Sequence, residues 1–225
     1  DVDIRLEGDV RSKINDIRRV AAKQGDDWLS FDLSTEEEYQ EIGGDEVVYE
    51  SIRLDVQARL GGESYGDPFK LDVAAGDVMV GEPERREGSD LFEFVGLEPV
   101  QHRIYPSETH LAEKLHAWSL PRARTNSRVR DLVDIGLLAN SEPFRAPELR
   151  EAIRATFEFR DTHDVPDVLP DTPESWTGRY QNLRDENQLR WQTLEQLEDL
   201  ARDLLGPVLS GDASGTWDPA AHEWK

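Results

Sequence analysis

Asp1-Val2-Asp3-Ile4-Arg5-Leu6 decides how the first half of this chain is read. Val2, Ile4 and Leu6 fall on one side of the alternation and Asp1, Asp3 and Arg5 on the other. That period of two belongs to a strand with one buried face. Working outward, Asp9 precedes Val10, Ile14, Ile17 and Ala21 at helical spacing, which predicts a helix with Asp9 as its N-cap. Trp28 to Leu33 reads as a short strand, and Glu36-Glu37-Glu38 as a solvated loop or helix start. Val48, Ile52, Leu54, Val56, Ala58 and Leu60 mark a long alternating strand. The turn formers from Gly61 to Pro68 then lead into a second alternation, Phe69 to Val73, so these two strands are expected to form a hairpin.

After a polar stretch over roughly 81–96 and a short strand within Glu98 to Tyr105, the period changes to helical. Ser107 is positioned to cap a helix carrying Leu111, Ala112, Leu115 and Trp118 on one stripe. A second helix is expected over about 126–139, and a third after Pro147, a residue suited to a first helical turn. An Asp- and Pro-rich linker over roughly 161–175 should lead to a last long helix with Leu194, Leu197, Ala201, Leu204 and Val208 at spacings of three and four. From Gly211 no period remains, and a loosely held tail is expected. Strands first and helices second predict an α+β fold, divided into a sheet domain over 1–105 and a helical domain over 106–225.

Composition narrows the function classes. The 225 residues carry a net charge of −22, from 48 acidic and 26 basic side chains. Counterion release requires clustered Lys and Arg, so a general nucleic-acid binder is excluded and any RNA contact has to be local. Arg122, Arg124, Arg128 and Arg130 concentrate the positive charge, and this is the patch expected to meet RNA. Without cysteine there are no disulfides, thiolate metal sites or cysteine nucleophile. No apolar run approaches a membrane-spanning helix, and a cytoplasmic location is expected.

The acids come first among the candidate chemical groups. Asp1 and Asp3 project from one face of a strand with backbones about 7 Å apart, a placement from which two carboxylates can share a hard cation such as Mg²⁺. Asp72, between Leu71 and Val73, faces away from its apolar neighbours. Should the two strands be neighbours, Asp72 completes a three-carboxylate cluster able to hold two metals across the attacking and leaving oxygens of a nucleotidyl transfer. An Asp on the polar face of a strand is common, so the acids alone do not settle the matter. Lys114 lies at the edge of an apolar helix stripe, where a lysine either snorkels to water or aims its ammonium at a triphosphate. In Arg128-Val-Arg-Asp-Leu-Val-Asp134, Asp131 and Asp134 share a helix face. They are either a surface ion-pair helix or, with Arg128 and Arg130 as phosphate contacts, an acid that orients the lysine or the nucleophile. The five histidines share no metal spacing and are read as structural. Gly43-Gly44 and Gly61-Gly62 are turn glycines, not phosphate loops.

Taken in order, Asp1-Val-Asp-Ile4, Ile52-Arg-Leu…Ala58-Arg-Leu-Gly-Gly62, Leu71-Asp-Val-Ala-Ala-Gly-Asp77, Tyr105-Pro-Ser-Glu-Thr…Ala112-Glu-Lys-Leu-His-Ala117 and Asn126-Ser-Arg-Val-Arg-Asp-Leu-Val-Asp134 resemble the AbiEii/AbiGii-type nucleotidyltransferase toxins. The likeness covers nearly the whole chain, and its most diagnostic segments are Ala-Glu-Lys-Leu and Arg-Asp-Leu-Val-Asp. It implies a polymerase-β-like nucleotidyltransferase with a mixed sheet core and a C-terminal helical bundle. It further implies an NTP substrate, Mg²⁺ at a two-metal site, an RNA acceptor such as the tRNA 3′ end, and a cognate antitoxin. By position, Asp1 and Asp3 match the metal-binding pair and Asp72 the third acid, with Asp55 as a nearby competitor. Lys114 matches the lysine that contacts the nucleotide phosphates, and Asp131 the essential acid of the last motif. In this superfamily a Gly-Ser strand and helix precede the Asp-x-Asp. This sequence opens on Asp1 itself, so the polypeptide is expected to begin inside a longer product. Two rivals stand beside the transferase reading: a metal-dependent nuclease, and an inactive relative that binds protein or mimics nucleic acid.

Overall fold

The computed structural model describes residues 2–6, 10–24, 28–34, 51–75, 78–91, 93–96, 98–121 and 128–225. The chain divides into two compact units, Asp1–Asp77 and Val78–Lys225.

The first unit holds β1 (Val2–Leu6), α1 (Val10–Ala21), β2 (Leu29–Ser34), β3 (Ser51–Leu60), β4 (Glu63–Ser64) and β5 (Phe69–Ala75). Alternation in the sequence becomes a sheet of order β1-β5-β3-β2, with β4 pairing back on β3. β1 runs parallel to β5, whereas β3 runs antiparallel to both of its neighbours, β5 and β2, so the sheet is mixed. Ile52, Leu54 and Val73 bury themselves with Ile14 of α1, joined by Ile4, Leu6, Ile17, Leu33 and Leu71. The helical period of α1 and the period of two in the strands thus converge on one apolar layer. Gly61 and Gly62 link β3 to β4 with φ of +60° and +93°. Two consecutive left-handed residues suit the right-handed twist of the flanking strands, and glycine reaches them without a Cβ clash.

The second unit opens with a two-stranded ribbon, β6 (Glu84–Glu87) and β7 (Gln101–Ile104). Among the described residues five helices follow: α2 (Ser107–Ser119), α3 (Val129–Ser141), α4 (Ala146–Arg160), α5 (Trp176–Asn187) and α6 (Leu194–Ser210). The expected stripe of α2 is buried, and Thr109 joins it. Its hydroxyl accepts from the Val80 amide at 3.1 Å and donates to the Val80 carbonyl at 3.0 Å. With the Arg86–Glu142 ion pair at 2.7 Å, these bonds tie the segment before residue 106 to the helices. Gly136 sits where α3 meets α6; a Cβ there would come within 2.2 Å of Leu197 Cδ1.

Three local expectations are corrected. Ser107 is the first helical residue of α2, whose N-cap is Pro106 with no side-chain cap. A separate helix, α5, stands between the Asp/Pro-rich segment and α6; its amphipathic signal is weak because mainly Trp176 and Tyr180 are buried. The tail past Gly211 is packed, not loose. β8 (Trp217–Asp218) pairs with β9 (Glu223–Trp224), and Trp217 is buried at 1% exposure. Two aromatics anchor a segment too short to show a period.

Candidate active site

On the mixed sheet, register decides which acids are neighbours. Asp3 of β1 lies opposite Asp72 of β5, and Asp72 in turn lies opposite Arg53 of β3. One row across three strands therefore reads Asp3, Asp72, Arg53. Asp3 is described by its backbone alone, and Asp1 lies outside the described residues. The Asp72 carboxylate meets the Arg53 guanidinium in a two-point contact, Nε to Oδ1 at 2.7 Å and Nη2 to Oδ2 at 2.5 Å. A fork of this kind fixes the carboxylate plane as well as its charge. Asp55, the alternative third acid, sits one row further along and is ion-paired with Lys70. Asp72, not Asp55, is the acid opposite the Asp-x-Asp strand.

In the helical unit, α2 and α3 bring Lys114 against the acids of the Arg-Asp motif. Lys114 Nζ lies 2.7 Å from Asp134 Oδ2 and 3.3 Å from Asp131 Oδ1. Asp131 and Asp134 are one helical turn apart, so both carboxylates reach the same ammonium. The surroundings differ sharply: the Asp131 side chain is 9% exposed and that of Asp134 37%. Asp131 also stands in the first turn of α3, where the helix dipole favours a negative charge. Its Oδ2 accepts no hydrogen bond among the described residues, and Arg128 Nη1 stands 3.8 Å away. Burial opposes the charge on Lys114, yet Asp134 and then Asp131 outweigh it and raise its pKa, so the lysine stays an ammonium. Arg128 is the residue before α3, and Arg130 is exposed on its first turn. Arg122 and Arg124 lie outside the described residues.

Glu113, next to Lys114 in sequence, belongs to a different network. It accepts from the Tyr105 hydroxyl at 2.7 Å and lies 4.0 Å from Arg160. Arg160 donates to His116 Nδ1 at 3.2 Å, which leaves Nε2 of His116 to donate to Thr162 Oγ1 at 2.8 Å. Burial, Arg160 and His163 together press the His116 pKa down to about 3, so the ring is neutral. His116 is thus part of the helix packing. Among the described residues no group of three or more His, Cys, Asp or Glu side chains is placed to hold a metal.

Sequence reasoning did not single out Arg53. Its signal was present, since Arg53 and Asp55 alternate with the apolar residues of β3, but its pairing with Asp72 depends on register. Asp134 was visible as the partner of Asp131 on one helix face; that it holds Lys114 more closely than Asp131 does required the α2–α3 packing.

MenT4, a nucleotidyltransferase toxin from Mycobacterium tuberculosis H37Rv, shares the fold at a TM-score of 0.53 and 12% sequence identity, over 93% of this chain and 68% of that one. The chain belongs to the family described as nucleotidyl transferase AbiEii toxin of type IV toxin–antitoxin systems, whose model matches residues 1–206. It is by that membership an NTP-using transferase. No curated protein matches it. Among the described residues no helix is long and apolar enough to cross a membrane.

Proposed function

We propose that this chain transfers a nucleoside monophosphate from an NTP to an RNA acceptor, the tRNA 3′ end being the first candidate, in a metal-dependent reaction opposed by a cognate antitoxin in the cytoplasm. The observation that supports it most directly is the Lys114 ammonium held by Asp131 and Asp134 within the two motifs most diagnostic of the family. Support for a hard divalent cation comes from the register, which sets Asp3 and Asp72 at opposed positions on adjacent strands, and from carboxylate chemistry, which offers it oxygen donors. Asp1, Asp3 and Asp72 would hold Mg²⁺, which supplies positive charge to the phosphate oxygens as charge builds there.

The remaining work falls to side chains. Lys114, kept charged by its two acids, presents an ammonium donor to a phosphate oxygen of the NTP. Asp131, buried in the first turn of α3 where the helix dipole favours its charge, holds that ammonium in place and retains one oxygen for a further donor. Arg128 and Arg130, at the start of α3, serve the NTP or RNA phosphates. Arg53 keeps the Asp72 carboxylate oriented.

The test is incubation of the chain with Mg²⁺, total tRNA and each labelled NTP in turn, beside a Lys114→Ala control. Label on tRNA with one or two of the NTPs, lost in the control, is the expected result. Absence of label on tRNA, other RNA and protein overturns the transferase reading in favour of a binding protein.

A further inference from the structure

Lys114 is held at two points, and the closer and more exposed of its partners is Asp134. An ammonium has three N–H donors and no acceptor. Asp131 accepts from it at 3.3 Å and Asp134 is ion-paired with it at 2.7 Å; among the described residues these are its two carboxylate partners, so a third N–H remains for a ligand. With a single carboxylate partner the ammonium could swing about that one bond; with two partners on the same helix face the direction of the third donor is set. We propose that Asp134 is a positioning residue for the nucleotidyl transfer: it aims the free N–H of Lys114 at the NTP while its charge opposes the triphosphate. This rests on the transferase reading above, but the placement of Lys114 can be tested separately.

The two roles of Asp134 have opposite consequences for an NTP. As an anchor it favours turnover, because a displaced donor loses alignment with the reacting phosphate. As an anion beside the cation it weakens ground-state binding of a polyphosphate, because like charges repel at short range. Asn at 134 keeps an oxygen that accepts from Lys114 and drops the charge; Ala drops both. A residue that merely stabilised the α2–α3 packing would not separate these effects. Asp131 differs in kind, being buried at the start of α3 and flanked by Arg128 as well.

The experiment uses the full chain with ¹⁵N-labelled lysine, and Asp134→Ala, Asp134→Asn and Lys114→Ala variants. Only five lysines are present, so the Lys114 ammonium signal is assigned by its loss in Lys114→Ala. A sharp Lys114 signal in the wild type, broadened or lost in Asp134→Ala and retained in Asp134→Asn, is expected with or without transfer activity. With the NTP that supports labelling, Asp134→Ala should lower kcat about tenfold or more while KM falls, and Asp134→Asn should recover at least about fivefold of the lost kcat with KM still low. An unchanged Lys114 signal in Asp134→Ala overturns the proposal. Loss of kcat in both variants together with a raised KM or a fall in thermal midpoint also overturns it and makes Asp134 structural. Absence of transfer in the wild type alongside the expected ammonium signals refutes the transferase reading and leaves Asp134 as the anchor of Lys114.

Discussion

Replacing Trp217 by alanine removes the most deeply buried tryptophan of the C-terminal hairpin from the helical core, and the structure sets the size of the effect. Trp217 is 1% exposed, and its indole N–H donates to the Ala139 carbonyl at 2.7 Å. Ala139 lies in the last turn of α3, where its carbonyl would ordinarily accept from the amide four residues on. That residue is Pro143, which has no N–H. Trp217 therefore caps a carbonyl that the backbone cannot satisfy. Trp→Ala in a core costs about 3–5 kcal/mol, and Trp217→Phe, which keeps most of the ring but strands the carbonyl, should cost about 1–3 kcal/mol. Five of the six tryptophans lie within residues 78–225, so urea unfolding followed by their fluorescence reports this unit. With a slope of about 2 kcal/mol per M, the midpoint should fall by about 2 M in Trp217→Ala, and by roughly a third to a half as much in Trp217→Phe. A shift below about 0.5 M in the alanine variant, or equal shifts in both, would refute the packed tail and the capping role.

Other expectations follow from single residues. His116 stays neutral in the folded chain down to about 3, below its ordinary 6.5. The unfolded chain therefore binds the proton first, and this group's stabilisation is complete above about 6.5 and lost as pH falls toward 3, by up to about 1.4 kcal/mol per pH unit. His116→Gln should flatten that slope in urea melts between pH 6.5 and 4 relative to the wild type. Gly211 ends α6 with φ +84°, and a Cβ there would meet no atom within 4 Å. Gly211→Ala should thus lose about 1 kcal/mol from backbone strain alone, and no loss in thermal melts would contradict that conformation. Asp72→Asn should lower transfer by about 10²-fold or more and raise the Mg²⁺ concentration needed for half-maximal rate; a rate titration with Mg²⁺ checks both.

Much of this protein was written in the order of its residues. The alternation of Asp1 to Leu6, of Ile52 to Leu60 and of Phe69 to Val73 specified strands with one apolar face. The spacings of Leu111 to Trp118 and of Leu194 to Val208 specified helices. Such periods are legible because each residue's face depends only on local geometry. Motif order likewise pointed to the AbiEii family before any fold was known. What the sequence could not supply were partners distant along the chain. Only the parallel pairing of β1 with β5 sets Asp3 opposite Asp72 and leaves Asp55 to Lys70. Only the packing of α2 on α3 brings Lys114 between Asp131 and Asp134. Only tertiary contact holds the aperiodic tail, where Trp217 supplies a donor that Pro143 lacks. Register, helix packing and capping across 78 residues of chain are long-range choices, made by the burial and hydrogen bonding of the whole unit and left open by local period.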